Sequence, residues 1–449
     1  MKSSVPQNGA PNEWTTVRDF AGQHHNLRAG GMHDKLFAIA MYLLPFSFGE
    51  DTVVISYSLP FFALLCIYYF VKIARTPVRI DRSVAIILII SVFSLAVMTV
   101  SSFIGDNTLK ALSRVAIHAN GVAILFYFCT SLSTARADEA EARYYFLARV
   151  FVTSGAVMSL YYLTNFLINA QEHGLDTVIA QRYVGGYSSL PWGASNAIAA
   201  ALLLPLITAF QLLAEPPTVH SNKSALKAAR RQRVRDLLAA TLITVAIFST
   251  LSRNAIAMSF LLLLFFGLRL SKRAIALVIV VAVLATIIVN LDNDIVAQLY
   301  DQRLRDRDEL LSGNTRIYLW GLYLEYIKEN PFTPIGYYAS LGVFEMSSHN
   351  FSITTYVEQS LVGWLLAVAL ATTLIYKALQ MTKLPRSNAS VQGQFMIVGM
   401  LLISINLHFE DANFTHQYIT YFWVFVSIFC FRFSILQNDL KLVRMGSPR

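Results

Sequence analysis

Long apolar runs alternate with short polar segments from about residue 36 to about residue 436. Most of the runs are about 17–22 residues long, which is the length an α-helix needs to cross the hydrocarbon core of a bilayer. The pattern therefore predicts an all-α polytopic membrane protein with about twelve transmembrane helices. The predicted spans are residues 36–48, 53–73, 84–104, 111–132, 146–168, 193–214, 236–250, 255–268, 274–291, 355–376, 394–409 and 418–436.

One polar interval, between the ninth and tenth predicted spans, is much longer than the others. Inside it, residues 314–330 place Ile317, Trp320, Leu324 and Ile327 at helical spacing, and the pair Asn330-Pro331 ends the pattern. We therefore expect a large loop that contains a short amphipathic helix. The predicted units are an N-terminal tail (1–35), spans one to nine (36–291), the loop (292–354), spans ten to twelve (355–436) and a C-terminal tail (437–449).

Charged residues set the expected orientation of these helices. Only 14% of the residues are charged, against about 25% in soluble domains, and the basic ones concentrate in alternate short loops such as 223–235. Basic loops stay in the cytoplasm. This pattern places both termini in the cytoplasm and the long loop on the opposite, outer face of the membrane. The net charge of +9 then reflects topology and the surrounding lipid, and no nucleic-acid partner is expected.

A few basic residues lie on the predicted outer side, where they oppose this rule. The candidates for function are Arg182, Arg253 and Arg316. The basic residues at 303–307 are interleaved with acidic residues, so we expect them to form a solvent-exposed surface. The guanidinium fork is suited to binding phosphate oxygens. His349 is the one histidine of the long loop, and imidazole accepts protons near neutral pH. These residue types suit attack by a hydroxyl on a carbon whose leaving group is a lipid-linked diphosphate.

Several short motifs in the second half of the chain occur in the order found in a known family. They are Ser252-Arg253-Asn254-Ala255, with Asn254 where a glycine is usual; Arg316 followed by Trp320; the segment 330–336; His349-Asn350; Glu358 with Gly363; and the segment 185–197. This set resembles the O-antigen ligase and O-antigen polymerase superfamily of bacterial polysaccharide assembly.

The resemblance implies a metal-independent, inverting transfer of a glycan from undecaprenyl diphosphate, with no cofactor. His349 would be the general base, and Arg182, Arg253 and Arg316 would hold the diphosphate. The acceptor would be lipid A-core for a ligase, which is the reading we favour, or a growing glycan for a polymerase. A protein O-oligosaccharyltransferase is a further alternative. The expected substrate-binding residues also include Asn350, from the His349-Asn350 motif, and Trp320 and Tyr337, whose aromatic rings near the base can stack on sugars.

Two readings from other classes are open. A metal-dependent lipid-linked glycosyltransferase would use carboxylates such as Glu50-Asp51, Asp292-Asn293-Asp294 or Asp306-Arg307-Asp308. A transporter would show related halves and charges inside its spans. No half-to-half repeat is evident, and Arg114, His118 and Arg149 are the main charged or titratable residues inside spans.

Overall fold

The computed structural model describes residues 31–48, 55–75, 80, 82–132, 137–180, 190–191, 193, 195–215, 223–267, 313–344, 348–383, 387–407 and 415–446. Almost all of these residues are helical, and one two-stranded antiparallel pair joins β1 (Ser47–Phe48) to β2 (Ile55–Ser56). The helices are α1 (Met32–Leu43), α2 (Leu59–Arg75), α3 (Arg82–Ser102), α4 (Thr108–Leu132), α5 (Ala137–His173), α6 (Leu175–Ala180), α7 (Ser195–Ala214), α8 (Lys223–Ser249), α9 (Arg253–Gly267), α10 (Gly313–Glu329), α11 (Ser340–Phe344), α12 (Phe351–Thr382), α13 (Ser387–Leu407) and α14 (His416–Gly446).

The predicted all-helical membrane architecture agrees with these helices. Within the described residues, seven helices are long and apolar enough to cross a membrane: α3, α4, α5, α7, α12, α13 and α14. Helices α2 and α9 contain shorter apolar stretches. Every predicted span overlaps a helix except the ninth, 274–291, which lies outside the described residues. The count of twelve spans stays a prediction.

Two helices form the centre of the bundle. In α7 and α14, 89% and 94% of the apolar span is buried inside the protein, whereas in α3 the share is 28%. Small residues allow helices to approach α7 and α14 closely, as is common in membranes. A Cβ atom at Gly121 of α4 would lie 2.1 Å from the Trp423 ring of α14, and one at Gly155 of α5 would lie 2.6 Å from Pro205 of α7. Helix α3 therefore lies at the periphery, where its exposed apolar side chains face lipid.

Buried polar networks join the helices at one end of the bundle, which we name the Asp34 end. Asp34 Oδ1 accepts hydrogen bonds from Tyr127 Oη at 2.9 Å and from Arg143 Nη2 at 2.6 Å. These bonds tie α1 to α4 and α5. Removing one partner from such a buried pair costs about 3–5 kcal/mol, so the network holds the register of the three helices.

A second network at the Asp34 end joins three helices to the residue that follows a fourth. Arg432 of α14 donates from Nε to Gln392 Oε1 at 2.8 Å and from Nη1 to Glu141 Oε1 at 3.1 Å. Gln392 Nε2 in turn donates to Glu215 Oε1 at 2.5 Å. The chain of contacts links α5, α13 and α14 with Glu215, the residue that follows α7. Each buried polar group in this set has a partner, as a low-dielectric environment demands.

At the opposite end, named the His349 end, α12 contains a sharp kink that the sequence did not predict. Ser360 has φ 61° and ψ −173°, so the helix breaks there and its carbonyls lose their usual donors. The Val357 carbonyl instead accepts Ile335 N–H at 3.0 Å, and the Glu358 carbonyl accepts the Ser101 hydroxyl. The segment after α10 and the end of α3 therefore complete the backbone bonding of α12.

Candidate functional site

His349 lies on a tight turn directly before α12. Its φ is 51°, a left-handed conformation that is uncommon for a residue with a side chain. The turn is held by Ser348, whose Oγ accepts the Asn350 N–H at 3.0 Å and lies 2.7 Å from Thr354 Oγ1. Strained backbone of this kind persists only where the surrounding contacts hold it, and it is frequent at functional sites. The histidine side chain is half-buried. The hydrogen bonds of Ser348 hold its backbone in a defined turn.

Helix α10 provides a second support for this turn. Its bounds, Gly313–Glu329, agree closely with the amphipathic helix predicted at 314–330. The indole nitrogen of Trp320 donates a hydrogen bond of 2.7 Å to the carbonyl of Ser348. Trp320 thereby contacts the residue next to His349. The sugar stacking predicted for Trp320 stays a prediction, while the structure shows that its indole supports the His349 turn.

Asn350 caps the helix that follows. Its Oδ1 accepts the backbone N–H groups of Ser352 at 3.1 Å and Ile353 at 3.2 Å. This is the usual action of an asparagine at a helix N-terminus. The predicted contact between Asn350 and substrate stays a prediction, while its side-chain oxygen has a structural role in directing α12 away from His349.

The segment between α10 and α11 packs closely on α3. The backbone of Gly336 has φ 113°, and a Cβ atom there would lie 2.5 Å from Gly105 N. Tyr337 N–H then donates to the Ser101 carbonyl at 3.2 Å, and the Tyr337 ring is 6% exposed. Glycine is needed at position 336 both for the left-handed backbone and for the close approach.

Tyr337 is closed off from solvent in this arrangement, and its predicted stacking on a sugar stays a prediction. Burial raises the pKa of its phenol above the ordinary value, and the nearby Glu358 carboxylate raises the pKa further. The phenol is therefore neutral across the physiological range. Among the other aromatic residues of this region, Tyr323 is fully buried and Tyr318 is exposed.

Glu358 lies buried beneath the same segment. Its Oε1 accepts a hydrogen bond of 2.7 Å from the hydroxyl of Ser340, at the start of α11. Because the Glu358 carbonyl also receives the Ser101 hydroxyl, this residue joins α3, α11 and α12. The sequence identified Glu358 only through a family motif, and its partners become visible in the structure.

The structure describes the helix positions of two of the three predicted arginines. Arg253 begins α9 at the His349 end, and the next residue, Asn254, donates from Nδ2 to Asn406 Oδ1 of α13 at 2.9 Å. Arg316 lies in the first turn of α10. Arg182 lies outside the described residues. The convergence of the three guanidinium groups on one diphosphate stays a prediction.

The carboxylates of the metal-dependent alternative, at positions 50–51, 292–294 and 306–308, also lie outside the described residues. Within the part of the chain that the structure describes, no group of three or more His, Cys, Asp or Glu side chains is arranged to hold a metal ion. Arg149 and His118, noted as residues inside spans, have partners: Arg149 Nε lies 3.8 Å from Asp236 Oδ2, and His118 Nδ1 accepts Trp423 Nε1–H at 3.3 Å.

Comparison with known families gives one match. The profile of a protein family described as O-antigen ligase matches residues 238–368. The matched segment contains Arg253, Arg316, Trp320 and His349, together with the kink at Ser360. No curated protein sequence matches the chain. The predicted resemblance to the O-antigen ligase and polymerase superfamily is therefore confirmed over residues 238–368.

Proposed function

We propose that this protein is a membrane glycosyltransferase that moves a glycan from undecaprenyl diphosphate to an acceptor hydroxyl at the periplasmic face of the bacterial inner membrane. The observation that carries the proposal is the His349 turn. A half-buried histidine is held in a left-handed conformation by Ser348 and Trp320, inside the segment that matches the O-antigen ligase family. A general base needs a fixed position relative to the hydroxyl from which it takes a proton.

The reaction follows from the residue types. The His349 imidazole accepts the proton of the acceptor hydroxyl while the oxygen forms a bond to the anomeric carbon of the donor sugar. The bond between that carbon and the diphosphate oxygen breaks, and undecaprenyl diphosphate leaves. Arg182, Arg253 and Arg316 bind its oxygens and stabilise the developing negative charge. A single displacement of this kind inverts the anomeric carbon, and the arginines supply the positive charge that a metal ion would otherwise provide.

The acceptor we propose is lipid A-core, which makes the protein an O-antigen ligase. A ligase must hold a large oligosaccharide beside the membrane, and the outer surface of α10 offers rings for this purpose. Tyr318 is 65% exposed and Phe332, just after α10, is 73% exposed. Aromatic rings contribute large contact areas at low conformational cost. Trp320, held by Ser348, lies on the same helix and joins this surface to the His349 turn.

A deletion strain distinguishes the ligase from the polymerase. Without a ligase, cells should accumulate long polymer on undecaprenyl diphosphate while their lipid A-core carries no glycan. Without a polymerase, the core should instead carry a single repeat unit. The measurement is electrophoresis of lipopolysaccharide together with analysis of the lipid-linked glycans. The single-unit pattern would reject the ligase assignment in favour of the polymerase of the same superfamily.

A further inference from the structure

The first half of helix α8 lies at the Asp34 end and carries a concentration of positive charge. Its first fourteen residues contain six basic residues and one acidic residue. One of the basic residues and the acidic residue contact the bundle. Arg233 Nη2 donates hydrogen bonds to the carbonyls of Leu213 at 2.9 Å and Glu215 at 3.3 Å, and Asp236 Oδ2 lies 3.8 Å from Arg149 Nε. These contacts fix this half of α8 against α5 and the end of α7.

Four other basic residues of this half, which we name the α8 cations, are exposed: Lys227, Arg230, Arg231 and Arg235. None of the four takes part in an ion pair among the residues that the structure describes. Lys227 and Arg231 are one helical turn apart, so they lie on one face of α8, and the other two flank that face. Like charges one turn apart repel each other. The α8 cations therefore favour a negatively charged neighbour.

The same face of α8 continues as an apolar surface. Val234, Leu238 and Val245 follow Arg231 at helical spacing, and they are 49%, 63% and 48% exposed. Aliphatic side chains on the outside of a membrane-spanning bundle lie against the acyl chains of lipid, which are as apolar as leucine. One continuous stripe therefore changes from cationic to aliphatic between Arg231 and Val234.

The position of this change matches the edge of a membrane. An α-helix crosses the hydrocarbon core in about 20 residues. About 20 residues counted back from Ser249, the last residue of α8, end at Arg230. Helix α8 runs without a break up to Ser249, so the α8 cations lie at the depth of the lipid head groups. Long basic side chains at this depth reach the phosphate oxygens.

We propose that the α8 cations form a binding site for anionic phospholipids of the leaflet at the Asp34 end, with the lipid phosphates on the cations and the acyl chains along Val234 and Leu238. A soluble anion or an acidic protein segment would not account for the continuity of the cations with the lipid-facing surface. A zwitterionic phospholipid brings an ammonium group that the cations repel, whereas basic clusters beside a membrane span attract anionic lipids. The inference goes beyond the proposed function and does not depend on it.

The test is equilibrium binding of phosphatidylglycerol, labelled with a fluorophore on one acyl chain, to the purified full chain in micelles of a neutral detergent. The unaltered protein should bind this lipid about tenfold more tightly than phosphatidylcholine with the same label, because each basic residue near the surface adds attraction for an anionic head group. The combined variant Arg230→Gln, Arg231→Gln and Arg235→Gln should remove most of this preference.

The matched control removes three exposed basic side chains elsewhere and changes the net charge by the same amount. Its substitutions are Arg75→Gln, Lys328→Gln and Lys383→Gln, and it should keep the preference for phosphatidylglycerol. Replacing the three α8 arginines with lysine keeps their charge and should change the affinity by less than about threefold.

Salt provides a measurement that needs no substitution and applies even if the glutamine variant of α8 does not fold. The preference for phosphatidylglycerol should fall as the salt concentration rises, because added ions screen exposed charges. The affinity for phosphatidylcholine should change little over the same range.

Three results would overturn the inference. The first is equal affinity of the unaltered protein for the two lipids. The second is an equal loss of preference in the α8 variant and its control, which would show an effect of net charge alone. The third is complete displacement of the labelled lipid by a soluble polyglutamate peptide, which would assign the α8 cations to an acidic protein segment. In each case transfer that depends on His349 would leave the proposed function in place, whereas loss of that dependence with an intact lipid preference would reject the proposed function alone.

Discussion

At the scale of the residue, the assigned chemistry depends most on His349. Its side chain is carried by a turn that Ser348, Asn350 and Trp320 hold through backbone atoms, so removing the imidazole leaves those bonds intact. His349→Ala should therefore lower glycan transfer by about 10²–10⁴-fold, the usual effect of losing a general base, with little loss of folded protein. Transfer by purified protein and its thermal unfolding measure the two effects.

The control for this variant is His173→Ala. His173 ends α5 at the same end of the bundle and its side chain is 41% exposed, but it has no place in the proposed reaction. Its loss should leave transfer unchanged. An active His349→Ala protein would show that this histidine is structural and would move the search for the base elsewhere.

Also at the residue scale, a diphosphate site made of arginines and a metal site predict different effects of substitution and chelation on transfer. If Arg253 holds the diphosphate, Arg253→Lys should reduce transfer strongly, because an ammonium group cannot form the two parallel hydrogen bonds of a guanidinium. Transfer should persist in EDTA. Glu50→Gln and Asp51→Asn should have mild effects. Activity that EDTA abolishes and Mn²⁺ restores would support the acidic-motif enzyme instead.

At the scale of the element, the segment between α10 and α11 depends on one glycine. Gly336 has φ 113° and lies against Gly105, so Gly336→Ala adds both backbone strain and a steric conflict. The cost should be about 1–3 kcal/mol, and it should release the contacts of Tyr337 with α3. Faster proteolysis within 331–344 and lower transfer are the expected measurements.

Gly342→Ala provides the comparison within the same region. Gly342 lies in α11, and a Cβ atom there would have nothing within 4 Å. Alanine is favoured over glycine inside helices, so this change should be neutral or slightly stabilising. Equal effects of the two substitutions would show that the packing of this segment on α3 does not matter for stability.

At the scale of the whole molecule, the placement of the site depends on topology. The basic loops predict that reporter fusions at Ala229 and Ser387 lie in the cytoplasm and that a fusion at Gly313 lies in the periplasm. Gly313 begins α10, the helix that supports the His349 turn. A cytoplasmic signal at Gly313 would remove the periplasmic reaction proposed above, because the acceptor and donor would then lie on the other side of the membrane.

The amino-acid sequence by itself determined the membrane class, most of the helix positions, the helix at 314–330 and the resemblance to a family that the profile supports over residues 238–368. The physical reason is that lipid acts on each segment separately. A run of apolar residues must become a helix to satisfy its own backbone bonds, and its length can be read without knowing its neighbours. The family motifs are likewise linear, since Arg253, Arg316, Trp320 and His349 occur in a fixed order.

Tertiary structure alone decided how those residues are held. The bond from Trp320 to Ser348, the kink at Ser360 and the burial of Tyr337 each join residues distant in sequence or depend on backbone angles that no periodicity encodes. The same holds for Lys110 and Arg114, which lie beside the ring of Tyr338, more than two hundred residues later in the chain. A hydrophobic pattern shows which residues of a segment are buried. It does not show which residues of other segments they contact, because those contacts depend on how the folded chain packs.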